Sequence, residues 1–329
     1  MSNESQGEKL LNLPGDRILA YEENGNTSSK LIVVFFHGLF GVGDAKRPSP
    51  VLLKYDTHYL APTLPGFGNS TVRANPAKTQ YYKSLAQDIT ALLEHTHPGI
   101  SDAPAGEYKL YVSGGSYGTV PAQMLFNASP DVFPASKHLV ACLLLGPFSP
   151  FRFHKGYGKC MTWDNYITVG PPSRYIPWQL PHRLASFALS KKVQNPEGSE
   201  ALIRSIIFDH LKEDEKILFE KWRKEKGLEE GQFEKDMATN MRKSVGKTWE
   251  GFIECADVIH SDWGFTLENL SRKPIILVTA SEDKLAPPAW AKWLAQTYPN
   301  ARLKEVAGGH IASLWTIDST FEELMRIEG

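Results

Sequence analysis

Five strand-sized apolar runs, at residues 31–36, 58–61, 109–112, 139–145 and 274–279, punctuate the chain, each bounded by turn-forming residues. Runs of this kind predict strands buried in a parallel sheet. Helical periodicity fills several of the gaps. Leu85, Ile89 and Leu92 or Leu93 fall on one face of a segment covering residues 81–95, and a further helix is predicted at 289–296. Strands alternating with helices predict the α/β class, with a mostly parallel sheet flanked by helices.

Between residues 147 and 263 that rhythm stops. The segment has no comparable apolar run and is rich in aromatic residues and charged helical stretches. Ile206, Ile207, His210, Leu211, Ile217 and Leu218 follow a roughly helical rhythm across 203–223, and the mostly charged stretch 220–241 reads as a solvated helix face. The organisation expected is a core in two parts, 1–146 and 264–329, interrupted by an inserted, mainly helical cap at 147–263. A chain of 329 residues exceeds the usual single-domain size, which fits a large core carrying an insertion.

Composition narrows the function classes. With 42% hydrophobic and 22% charged residues the chain has an ordinary globular balance, and a formal net charge of −1 gives no electrostatic reason to expect nucleic acid or an anionic membrane as partner. Cys142, Cys160 and Cys255 are odd in number and widely spaced, which suits reduced thiols rather than a disulfide set or a metal site. The opening residues lack a basic start followed by an apolar stretch, and the longest apolar runs are too short to span a bilayer. A cytoplasmic location is the expectation that follows.

Candidate chemistry centres on Gly114-Gly115-Ser116-Tyr117-Gly118, directly behind the predicted strand at 109–112. A GxSxG turn between strand and helix swings a serine hydroxyl clear of the backbone, and small residues two before and two after it prevent collision. A serine needs a base to take its proton and a carboxylate to orient that base. Asp283, just past the strand at 274–279, is the candidate acid, with Glu282 as the adjacent competitor; His310, after Gly308-Gly309, is the candidate base. The ends of parallel strands project towards one crevice, so Ser116, Asp283 and His310, in that order, are expected to converge there. The oxyanion requires main-chain donors, one from Tyr117 NH and the second from Leu39 or Phe40 NH, Leu39 preferred, in the loop His37-Gly38-Leu39-Phe40-Gly41. His37 is expected to brace that loop through a hydrogen bond rather than act as base.

Trp163, Tyr166, Tyr175 and Trp178 in the first part of the insertion read as packing residues; where the insertion covers Ser116, Phe40, Trp163 and Tyr166 are the candidate walls of an apolar substrate pocket. Two other signals are set aside. Gly38-Leu39-Phe40-Gly41-Val42-Gly43 lies after a strand, but Pro48 and Pro50 interrupt the long helix that a dinucleotide site requires. Glu94, His95 and His97 close a helix before Pro98-Gly99, where imidazoles suit the helix dipole, so no metal is implied.

Taken together, His37-Gly38 after a strand, the segment Leu64-Pro65-Gly66-Phe67-Gly68-Asn69-Ser70, the elbow at Ser116, the acid turn at Asp283 and Gly309-His310 resemble the α/β-hydrolase superfamily, specifically its capped serine hydrolases. Asp262-Trp263-Gly264-Phe265 looks like the family's re-entry from cap to sheet. The resemblance implies a cofactor-free hydrolase acting on a small-molecule ester or related acyl substrate. Two departures are Pro121, early in the helix after the elbow, and Ala280, where the family often has glycine. Serine rather than aspartate as nucleophile excludes epoxide-hydrolase or dehalogenase chemistry. A proline-iminopeptidase-like aminopeptidase shares the GGSxG elbow but has a Gly-Gly-Pro-Gly loop where this chain has His37-Gly38-Leu39-Phe40; a non-catalytic ligand-binding protein on the same fold is the remaining alternative.

Overall fold

The computed structural model describes residues 6–327. Its centre is a sheet of β1 (Gln6–Leu13), β2 (Arg17–Gly25), β3 (Leu31–Phe36), β4 (His58–Pro62), β5 (Lys109–Gly115), β6 (Leu139–Leu145), β7 (Ile275–Ala280) and β8 (Ala301–Val306). The spatial order is β1-β2-β4-β3-β5-β6-β7-β8. β1 pairs antiparallel with β2, and β2 with β4, whereas every pairing from β4 across to β8 is parallel. The apolar runs of the sequence correspond to β3, β4, β5, β6 and β7, which lie side by side in the middle of the sheet.

Those strands are apolar throughout because both faces are covered. Ile32, Val34 and Phe36 of β3 point into one cluster while Val33 joins the other; in β7, Ile275 and Leu277 alternate in the same way with Ile276 and Val278. Side chains alternate across a strand, so a run without polar gaps is what double coverage requires. Each fully buried Val, Leu, Ile or Phe contributes roughly 1.5–3 kcal/mol. The covering helices are α1 (Pro50–Lys54), α2 (Tyr81–Thr96) and α3 (Thr119–Phe126) before β6, then α4 (Trp163–Thr168), α5 (Leu180–Gln194), α6 (Pro196–Ile203), α7 (Glu213–Glu225), α8 (Gln232–Val245) and α9 (Glu250–His260), and finally α10 (Pro288–Thr297) and α11 (Ile317–Met325). Leu52 of α1 and Phe321 and Leu324 of α11 fill one face. Residues of α2, α3, α9 and α10 fill the other.

Among the described residues no strand occurs between β6 and β7; that interval carries α4 to α9. Val193, Phe208, Phe219, Met241 and Val245 form a separate apolar cluster there, which also takes in Ile311, the residue after His310. The helical rhythm read across 203–223 is broken: α6 ends at Ile203, a π-turn covers Arg204–Phe208, and α7 starts only at Glu213. Ile207 and Leu211 pack with Phe208 and Phe219 into that cluster, whereas Ile206, Ile217 and Leu218 are exposed. No helix among the described residues is long and apolar enough to cross a membrane.

Candidate active site

β5 runs out at Gly115, and Ser116 follows with φ of 52°. A side chain in that left-handed region costs of order 1–3 kcal/mol unless its surroundings hold it there. Here they do. Thr119 Oγ1 donates to the Ser116 carbonyl at 2.6 Å and accepts from Phe148 N at 3.0 Å, tying the turn to the chain beyond β6. The glycines flanking the turn are dictated by space: a Cβ on Gly114 would lie 2.2 Å from the Gly118 carbonyl oxygen, and one on Gly118 would lie 2.1 Å from that of Phe36. Pro121 is the third residue of α3, within its first turn, where a missing amide is tolerated.

Asp283 and His310 meet. His310 Nδ1 lies 2.8 Å from Asp283 Oδ2, while Asp283 Oδ1 accepts the amides of Leu285 and Ala286 at 2.8 and 2.9 Å. Because the carboxylate accepts, Nδ1 carries the hydrogen and Nε2 is left as the basic nitrogen. Burial pushes the His310 imidazole towards neutrality, but the charge and hydrogen bond of Asp283 outweigh it, and the pKa ends above its ordinary value of 6.5. Glu282 takes no part in this pair; it is exposed and bonds Lys212 at 2.6 Å.

The pair sits beside the elbow. Gly115 pairs with Leu145 across β5 and β6, so the next residues, Ser116 and Gly146, are neighbours at the strand ends. The Cβ position of Gly146 is 3.4 Å from His310 Cε1 and 3.6 Å from Asp283 Oδ2, so a side chain there would fill the space the pair occupies. Among the described residues no hydrogen bond joins Ser116 Oγ to the imidazole. Such bonds commonly tighten only when substrate is bound.

The loop after β3 closes over the turn. The Cβ position of Gly38 is 3.4 Å from Ser116 Cβ, and the Leu39 amide donates to no acceptor among the described residues. His37 is a brace, as its sequence position suggested: Nε2 accepts from Leu64 N at 2.9 Å and Nδ1 donates to the Gly38 carbonyl at 2.8 Å. Burial holds it down at about 4, so it stays neutral. Phe40 is half-buried with φ of 60°, stacked on Phe252 of α9 at 5.0 Å. Tyr166 is half-buried, whereas Trp163 is 79% exposed and touches Tyr166 edge-on. Asn165, between them in α4, donates to the Lys284 carbonyl at 3.0 Å and so fixes α4 beside the acid turn.

One residue escaped the sequence reading. Glu215, buried at the start of α7, accepts the Gly309 amide at 2.6 Å, immediately before His310. Gly308 has φ of +115°, and a Cβ on it would fall 2.5 Å from Glu215 Oε1. Nothing in the local pattern distinguishes Glu215 from the acids around it, since its partner lies 94 residues away.

A model of the alpha/beta hydrolase family matches residues 33–325. The chain belongs to the alpha/beta hydrolase family. The fold is shared with solved structures. An esterase from Thermogutta terrifontis is 16% identical with a TM-score of 0.57, over 97% of this chain and 98% of that one. An enol-lactonase from Burkholderia xenovorans is 16% identical with a TM-score of 0.61, over 97% and 99%. A 2-hydroxy-6-oxo-6-phenylhexa-2,4-dienoate hydrolase from a Rhodococcus strain is 19% identical with a TM-score of 0.54, over 98% of each chain. Comparison with curated proteins gives no match. At such identities the likeness is one of fold.

Glu94, His95 and His97 have separate structural partners. Glu94 accepts the amides of Gly99 and Ser101, His95 packs edge-on against Tyr21, and His97 bonds His58 at 2.7 Å. A cavity of about 680 Å³ lies away from the elbow, by the start of β6 and the entry to β7, lined among others by Asn127, Lys137, Leu139 and Lys273. None of Ser116, Asp283 or His310 borders it.

Proposed function

We propose that the protein is a serine hydrolase that cleaves a carboxylic ester or related acyl substrate through an acyl-enzyme on Ser116. The observation that carries this reading is the Asp283–His310 hydrogen bond beside a serine held at positive φ. In the first half-reaction Ser116 Oγ attacks the acyl carbon while its proton passes to His310 Nε2. The charge on the carbonyl oxygen is met by the amides of Leu39 and Tyr117. His310 then protonates the departing alcohol. In the second half-reaction water gives its proton to His310, attacks the acyl carbon, and Ser116 leaves with that proton restored.

Residues 147–263 act in this proposal as the cap, with Phe40, Trp163 and Tyr166 as apolar walls for the substrate. A panel of p-nitrophenyl esters of graded chain length, with thioesters and aminoacyl amides alongside, tests the assignment. Turnover of uncharged esters is expected, with Ser116→Ala lowering kcat by on the order of 10⁴–10⁶-fold. Fastest turnover of aminoacyl amides, or of strongly charged acyl groups, would contradict it.

A further inference from the structure

Large apolar side chains that a folded protein ordinarily covers are concentrated in the α4–α5 region. Tyr175, Trp178 and Phe187 are 81%, 80% and 84% exposed, and Ile167, Leu180 and Leu184 are exposed as well. Leu180, Leu184 and Phe187 recur at four- and three-residue steps along α5, opposite a side that buries His182 and Val193. The stripe is therefore an uncovered apolar row on the outward side of α5, whose inward side packs Ala185, Leu189 and Val193. Trp178 and Gln179 before it have φ of 56° and 49°. That turn is pinned, because Arg183 Nε donates to the Trp178 carbonyl at 3.0 Å and the Gln179 side-chain Nε2 donates to the Asp257 carboxylate of α9.

Charge identifies what the face fits. α5 itself carries Arg183, Lys191 and Lys192 and no acid, whereas the whole chain sums to −1. All three are exposed, and Lys191 extends the α5 stripe itself. Arg183 faces Glu250 at 3.8 Å with both side chains about half exposed, a pair too solvated to cancel the excess. Tryptophan, tyrosine and aliphatic side chains flanked by lysine and arginine suit the boundary between headgroups and acyl chains of an anionic leaflet. A symmetric contact with a second copy would press two like-charged surfaces together.

We infer that the outer face of α4, α5 and the segment joining them docks on the surface of an anionic lipid bilayer. Asn165 ties α4 to the Lys284 carbonyl beside Asp283, so the docked face adjoins the rim of the proposed active site. Docking itself does not depend on the chemistry at Ser116.

Vesicle flotation of the full chain tests this. The protein is expected to float with phosphatidylcholine vesicles containing about one third phosphatidylglycerol, to stay behind with phosphatidylcholine alone, and to be released as salt is raised. Combined Trp178→Ser, Leu184→Ser and Phe187→Ser should weaken partitioning by about tenfold or more with an unchanged circular dichroism spectrum, and so should Lys191→Glu with Lys192→Glu, which alters only exposed positions. Ser116→Ala should float like the wild type. Failure of the wild type to float with the anionic vesicles, or equal flotation with neutral ones, would overturn the docking, as would a concentration-dependent dimer abolished by the triple substitution in a protein that ignores vesicles. Ester turnover by a wild type that does not float would sink the docking alone and leave the hydrolase reading standing.

Discussion

Asp283 divides its carboxylate, Oδ1 serving two backbone amides of its own loop and Oδ2 serving His310, so one residue fixes both the acid turn and the imidazole. The pH dependence of activity follows from that. His310 must be neutral to accept the serine proton, and its pKa lies above 6.5, so kcat/KM should rise with pH along a limb centred above that value. Asp283→Asn removes the opposing charge and leaves burial to act, which moves the limb to lower pH while the rate falls by on the order of 10⁴-fold. A pH–rate profile of both proteins checks the direction; an unshifted limb would separate the titrating group from His310. Glu215 acts on the same residue at one remove, as a positioning group. Glu215→Ala leaves the half-buried Gly309 amide without its acceptor, at a cost of about 1 kcal/mol, and should lower kcat more than it raises KM. Glu215→Gln keeps an acceptor oxygen and should restore most of kcat; equal losses in both variants would leave Glu215 with a purely structural role.

At the scale of elements, the elbow is a contact between backbones rather than a serine with convenient neighbours. Gly118→Ala sets a methyl against the Phe36 carbonyl and should lower stability by roughly 1–3 kcal/mol, whereas at Gly115 the nearest atom to an added Cβ is Phe35 Cζ at 3.7 Å, an ordinary contact. Thermal unfolding of Gly118→Ala beside Gly115→Ala should separate the two clearly. A second tie joins β2, β4 and the end of α2: Glu23 accepts Lys9 Nζ at 2.7 Å and lies 3.4 Å from His58, which in turn bonds His97. His58, 3.4 Å away, opposed by burial and aided by Lys9, holds the Glu23 carboxyl down at about 2 from its ordinary 4.5. A lowered carboxyl pKa stabilises the fold above the unfolded value and loses that contribution as pH falls. The stability difference between wild type and Glu23→Gln, from urea unfolding, should therefore be full above about 4.5 and shrink towards pH 2. Elements also mark where the sequence was readable. β3 to β7 betray themselves by unbroken apolar runs, because helices cover both faces. β1, β2 and β8 lie at or next to the sheet edges and mix in charges, as in Arg302, Lys304 and Glu305 of β8, so they carry no such run.

Over the whole molecule, chain order said more about which residues come together than local composition did. Ser116, Asp283 and His310 follow β5, β7 and β8 in turn, and two of them meet by a hydrogen bond although 27 residues separate them. Glu215 could not be foreseen, because its role depends on how the helices between β6 and β7 fold back over the Gly308 loop. The global charge was equally uninformative about surfaces: a near-zero sum conceals α5, whose exposed Leu180, Leu184 and Phe187 share the helix with Arg183, Lys191 and Lys192 and no acid. The claim on which the functional reading turns is that Ser116 is the nucleophile. Its most direct test is reaction of the folded protein with a fluorophosphonate, followed by mass-spectrometric mapping of the adduct. One phosphonyl group on Ser116 is the result predicted, with none on Ser116→Ala; an unlabelled wild type, or equal labelling of the variant, would contradict the account.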